Sequence, residues 1–131
     1  MIASVSGEVL HKELDSVVVE AAGVGYMLSV SANTLEAIPP VGSHATLFAT
    51  LVVREDSMQL YGFAAADERS MFQLLTGVSG VGPKVALSLL SAMSVSEAEV
   101  ALLSGQVAAF QKVPGIGKRT AERLIVELKD K

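Results

Sequence analysis

Two short segments of the sequence combine glycines with cations in a way that suits phosphate binding. Residues 78–90 read VSGVGPKVALSLL and residues 113–125 read VPGIGKRTAERLI, so the pattern hydrophobic-x-Gly-hydrophobic-Gly recurs after 35 residues. Lys84 follows the first pattern and Lys118 and Arg119 follow the second, each near the predicted start of a helix. A helix N-terminus disfavours cations, so a negatively charged ligand would explain why they stand there.

Each copy is predicted to form a helix-hairpin-helix motif. The glycines let the backbone come close to another surface, and the unpaired N–H groups of the following helix attract phosphate. Val81 and Ile116 are expected to anchor the two hairpins in the core. Ordinary tight turns with glycine caps and solvated cations are the alternative, but two copies in register favour phosphate binding. Two such hairpins could hold opposite strands of one duplex without reading its sequence.

The sequence carries no other recognisable phosphate or metal motif. A P-loop requires Gly-x4-Gly-Lys-Ser/Thr, whereas Lys112 and Arg119 stand where the first glycine and the hydroxyl residue should be. Gly80 and Gly82 lack the third glycine of a dinucleotide site. The chain has no cysteine and only two isolated histidines. We therefore expect no catalytic residue, no metal and no cofactor.

An acidic pair, Glu55 and Asp56, is predicted to lie at the tip of a hairpin within VVREDSMQLYGF (52–63). A solvated acidic turn is one interpretation, since Asp-Ser favours turns. A catalytic role would need convergent acids, a raised pKa or a metal. The third interpretation is that the two carboxylates repel phosphates and keep DNA strands apart.

The elements that position these residues change in type near residues 63–66. Five segments before this point are rich in β-formers: IASVSGEVL, SVVVEA, GYMLSVS, HATLFATLVV and MQLYGF. They predict a closed OB-fold barrel with one brief helix, ANTLEAI. After it, apolar residues recur at helical spacing, with Asp67 as a candidate cap, Pro83 at a helix start and a capping-box pair, Ser94 and Glu97. The predicted class is α+β multidomain: an OB-fold barrel over 1–63 and an all-α domain over 64–131 with two helix-hairpin-helix motifs.

Charge is distributed unevenly along the 131 residues. The net charge is −4, yet residues 1–62 hold two bases and seven acids, whereas residues 112–131 hold six bases and three acids. This separation directs a phosphate-bearing partner to the second half. No apolar run is long enough for a membrane span and no signal peptide is visible, so we expect a cytoplasmic protein without a membrane partner.

The chain resembles the RuvA family of bacterial Holliday-junction recognition proteins from Met1 to Lys131. The segments that carry the resemblance are GVGYMLSV, VVREDSMQLYGF, SGVGPKVAL and PGIGKRTAERLIVELKDK. It implies a non-catalytic subunit of a branch-migration complex that acts in recombination and repair at the nucleoid. It also implies a homotetramer, or an octamer, which holds four-way junction DNA open and flat.

The resemblance also implies roles for individual residues. By position, the DNA contacts would be Gly80, Val81, Gly82, Lys84, Gly115, Ile116, Gly117, Lys118, Arg119 and Arg123. Glu55 and Asp56 would be acidic pins at the strand crossover. Family members continue into a third domain that binds the RuvB motor ATPase, and the RuvC resolvase joins the larger complex. Since this sequence stops at Lys131, we expect it to bind junctions but to couple poorly to the motor.

Two rival functions remain on the residues alone. A glycosylase or nuclease built on the same hairpins would bind duplex generically, but the nearest acids, Glu122 and Glu127, look like ordinary helix-face residues. A single-strand binder would need a basic barrel groove with stacking aromatics, which the acidic first half does not offer.

Overall fold

The computed structural model describes residues 1–130, so Lys131, the last residue of the predicted second domain, lies outside the described residues. The chain divides into two compact units, the first Met1–Arg69 and the second beginning at Ser70. This division falls inside a helix, Ala66–Thr76, that begins in the first unit and ends in the second.

Unit 1 is a five-stranded barrel. Its strands are β1 (Ser4–Lys12), β2 (Ser16–Ala21), β3 (Val24–Ser29), β4 (His44–Val53) and β5 (Met58–Phe63). They close in the order β1-β2-β3-β5-β4, with a parallel β3–β5 pair and antiparallel pairs elsewhere. Helix α1 (Ala32–Ala37) connects β3 to β4. The predicted OB-type barrel is confirmed.

Alternating apolar side chains fill the barrel. Val17 and Val19 of β2 are essentially inaccessible to solvent, as are Val9 of β1 and Leu47 of β4. This alternation follows from the two-residue period of a strand. At Gly7 a Cβ atom would lie 1.8 Å from the carbonyl oxygen of Glu20, so β1 passes β2 too closely there for any side chain.

A tight turn with left-handed backbone joins β2 to β3. Its two residues, Ala22 and Gly23, have φ values of 52° and 84°. Positive φ at both positions is the mark of a type I′ turn, whose twist matches that of the flanking strands. Alanine is a poor choice for that conformation, since its Cβ crowds the neighbouring carbonyl.

A buried carboxylate secures the region where the barrel meets the next helix. Glu68 is 7% exposed; it accepts hydrogen bonds from the hydroxyl of Ser31, at 2.8 Å, and from that of Thr34. The Ser31 hydroxyl also caps α1 by accepting from the Thr34 amide at 3.1 Å. The Thr34 hydroxyl accepts from the Ala64 amide at 3.1 Å. The side chains of Ser31, Thr34 and Glu68 therefore all have hydrogen-bond partners within this cluster.

The remaining elements are helical. They are α2 (Ala66–Thr76), α3 (Pro83–Ala92), α4 (Val95–Ser104), α5 (Val107–Gln111) and α6 (Lys118–Leu128). The Ser94–Glu97 capping box forms in full, with both reciprocal hydrogen bonds, and Pro83 opens α3 as predicted. The expectation that Asp67 caps α2 is wrong: the residue lies within the first turn of the helix, a position where an acid is favourable because the helix N-terminus is positive.

Unit 2 has a core of its own, made by side chains from its helices and their connections. Leu75, Leu89, Leu90, Phe110 and Leu124 are inaccessible to solvent. Within residues 1–130, no single helix has the length and apolar composition to cross a bilayer. Helices α3 and α4 meet that criterion only together, and they are bent by 98°.

Candidate nucleic-acid interface

The two predicted hairpins have almost the same backbone. The first glycine of each, Gly80 and Gly115, has a φ of 92°. The second glycine has φ −88° and ψ 175° at Gly82, and φ −90° and ψ −179° at Gly117. The sequence repeat is therefore also a structural repeat.

The hydrophobic residue between the glycines ties each hairpin to the core. Val81 and Ile116 are each 4% exposed. Their amides donate to the carbonyls of Val78 and Val113, at 3.0 and 3.1 Å. The predicted anchoring role is confirmed. It turns both side chains inward and engages both amides, so the donors for a ligand would be main-chain N–H groups of the flanking residues.

The two glycines of a hairpin are needed for different reasons. At Gly80 and Gly115 the positive φ favours glycine over every other residue. At Gly82 and Gly117 the backbone is extended, and an added Cβ would meet no atom within 4 Å. Neither the backbone conformation nor packing among the described residues requires glycine there. Close approach of an external surface would explain why both positions are glycine.

The hairpins pack against each other reciprocally. A Cβ built on Gly80 would lie 3.5 Å from Thr120 Oγ1 of α6, and one on Gly115 would lie 3.1 Å from Val85 Cγ2 of α3. Val85 and Thr120 are themselves separated by 35 residues, so each hairpin touches the equivalent position of the other copy. The two motifs are thus related by a pseudo-twofold axis. Sequence reasoning missed this pair, although the 35-residue offset aligns them.

The helix following each hairpin begins with an open N-terminus. Both N-cap residues are glycines without a side-chain cap, and neither first turn contains an acid. The first helical hydrogen bonds come from Ala86 to Gly82, at 3.0 Å, and from Ala121 to Gly117, at 2.9 Å. Amides before these positions lie at the positive end of the helix, where an anion is stabilised.

The cations predicted to contact DNA lie at or near these helix ends. Lys84, Lys118 and Arg119 are exposed in the first turns of α3 and α6. Arg123 lies one turn further along α6, and its Nε is 3.7 Å from a carboxylate oxygen of Glu127. Among the described residues, Lys84, Lys118 and Arg119 form no ion pair of this kind, whereas the charge of Arg123 is partly neutralised by Glu127.

The acidic pair lies apart in sequence, in unit 1. Glu55 and Asp56 are exposed at the tip of the β4–β5 hairpin. The turn is closed by the Arg54 amide, which donates to the Ser57 carbonyl at 2.8 Å. Within residues 1–130, no group of three or more histidines or carboxylates could hold a metal ion.

Comparison with known proteins covers both units. The RuvA N-terminal domain model matches residues 1–62, and the model of a SAM-like tandem helix-hairpin-helix matches residues 72–130. Curated relatives named Holliday junction branch migration complex subunit RuvA match over all 131 residues. Identity is 53% to the protein of Nocardia farcinica, 51% to that of Rhodococcus erythropolis and 51% to that of Mycolicibacterium smegmatis.

The match covers all of this chain but only part of each relative. It spans 65% of the Nocardia and Rhodococcus proteins and 67% of the Mycolicibacterium protein. The residues matched by the first model form the barrel, and those matched by the second contain both hairpins. From these matches and this geometry, the chain belongs to the RuvA family.

Proposed function

We propose that this chain binds four-way junction DNA without catalysing a reaction, as a structural subunit of a branch-migration complex. The observation that carries the proposal is the open space at Gly82 and Gly117, repeated at two helix N-termini that also bear exposed cations. The relatives' name, a Holliday junction branch migration complex subunit, supports the same role.

The hairpin pair suits the two strands of one duplex arm. A duplex has local twofold symmetry between its strands, and the pseudo-twofold axis between the hairpins matches it. Each hairpin would hold a phosphate with the main chain of Gly80–Gly82 or Gly115–Gly117. Lys84 in one copy, and Lys118, Arg119 and Arg123 in the other, would add charge. Such contacts fix position but read no bases, so the junction would be selected by shape.

The proposal also includes a role for the acidic pair, an oligomeric assembly and two protein partners. Glu55 and Asp56 on the barrel would repel phosphates at the strand crossover. Four copies, or eight, would engage the four arms at once, with the barrel serving assembly and the helical unit serving DNA. The RuvB motor and the RuvC resolvase would be the protein partners, in the bacterial cytoplasm at the nucleoid.

The proposal is tested by comparing binding to an immobile four-way junction and to a linear duplex of equal length. We expect strong preference for the junction, because several arms are held together. Equal weak binding to both would contradict the junction role and leave a generic duplex binder. Incubation of end-labelled junction with Mg²⁺ tests the rival enzyme, since cleavage would contradict a non-catalytic role.

A further inference from the structure

The two hairpin copies match in backbone but differ sharply in charge. Residues 77–94 of the first copy contain one charged residue, Lys84. The equivalent residues of the second copy, 112–129, contain five cations and two acids. The added cations are Lys112, Lys118, Arg123 and Lys129, which stand where the first copy has Gly77, Pro83, Ser88 and Ser94.

The difference nearest to the phosphate site is at the first residue of each helix. Pro83 opens α3 and Lys118 opens α6, after glycines with the same extended backbone. Proline brings neither a cation nor an N–H donor to this position, whereas lysine brings both. Because the equivalent glycines of the two hairpins have backbone angles that agree within a few degrees, the contrast in chemistry is not offset by a difference in backbone conformation at these positions.

We infer that the second hairpin is the principal phosphate anchor and that the first holds its strand weakly, with Lys118 and Pro83 setting the difference. The inference rests on the proposed function. Each duplex arm is then gripped unequally, one strand by Gly115–Arg119 and the other by Gly80–Lys84. An arm held in this way can release and re-engage one strand while the other keeps it in place, which suits DNA that must move through the complex.

Reciprocal substitution of the two residues tests this inference. Lys118→Pro gives the second helix the opening of the first. The change suits the fold, because Gly117 already has the extended backbone that Gly82 adopts before Pro83. Pro83→Lys gives the first helix the opening of the second. Lys118→Gln, which removes the charge and keeps the N–H, is the companion variant should the proline variant fail to fold.

The readouts are junction affinity and phosphate-ethylation interference on each strand of an arm. We expect wild-type interference to be stronger on one strand. Lys118→Pro and Lys118→Gln should weaken binding by about tenfold and reduce the salt slope by about 1 per chain engaged. Both should reduce the stronger interference, whereas Pro83→Lys should tighten binding and strengthen the weaker one.

Equal interference on both strands of the wild-type complex would overturn the inference. It would also be overturned if Lys84→Gln and Lys118→Gln lost equal junction affinity and Pro83→Lys gained none. In those cases junction binding itself persists and the proposed function stands. A wild-type chain that binds neither junction nor duplex would instead contradict the proposed function.

Discussion

Replacement of Gly117 by alanine separates DNA binding from folding. The position has φ −90°, which alanine adopts without strain, and the new methyl group would meet no atom within 4 Å. Loss of glycine's freedom in the unfolded chain stabilises by about 0.4–1 kcal/mol, and the poorer N-cap preference of alanine opposes it by a similar amount. The free energy of unfolding should therefore change by less than about 0.5 kcal/mol.

The effect on binding should be large. A phosphate oxygen accepting from an amide lies about 2.9 Å from the nitrogen, whereas nonbonded carbon atoms need about 3.5–4.0 Å. The Gly117→Ala methyl would thus push the phosphate away from the open helix end. Hydrogen bonds to charged groups contribute about 1.5–3 kcal/mol, so loss of one should weaken junction binding by about tenfold to a hundredfold.

The assay pairs junction titration with thermal unfolding of the same preparations. Gly105→Ala is the matched control, because Gly105 has φ 67° at the end of α4, outside both hairpins. That variant should lose about 1–2 kcal/mol of stability and keep its DNA affinity. If Gly117→Ala binds the junction as tightly as wild type, the explanation of the open glycine is refuted.

Three further variants probe other parts of the chain. Glu55→Gln with Asp56→Asn should tighten junction binding about two- to thirtyfold, since each of the two exposed charges contributes about 0.2–1 kcal/mol; unchanged affinity and strand exchange would rule out repulsion. Ser31→Ala should lower the free energy of unfolding by about 1–3 kcal/mol in denaturant titration, because buried Glu68 loses a donor; a neutral result would contradict this. Ala22→Asn should raise the free energy of unfolding by about 0.5–1 kcal/mol, because asparagine tolerates the left-handed backbone of this turn better than alanine. A lower free energy of unfolding would refute that.

Local signals in the sequence were sufficient for most elements and for the hairpins. β2, β4 and β5 begin and end where the alternating apolar segments do. The Ser94–Glu97 box and Pro83 mark helix starts because their chemistry acts within one turn. The 35-residue repeat predicted two hairpins of the same kind, and their backbones agree within a few degrees at the glycines.

Features that depend on contacts between residues far apart in the sequence could not be predicted from local signals. The Ser31–Glu68 hydrogen bond joins residues 37 positions apart, and nothing near Glu68 distinguishes it from a surface acid. The reciprocal packing of Gly80 on Thr120 and of Gly115 on Val85 depends on how the two motifs fold onto each other. Asp67 was misplaced for a smaller reason: an acid in a first turn and an acid at an N-cap give similar local patterns.

The central claim is that the paired hairpins hold DNA through phosphate contacts, and the salt dependence of junction binding tests it most directly. The measurement compares wild type with the Lys84→Gln, Lys118→Gln, Arg119→Gln triple variant. We predict a steep linear fall of log K with log salt for the wild type and a markedly shallower slope for the variant. A flat wild-type dependence, or a slope that the triple variant leaves unchanged, would contradict the account.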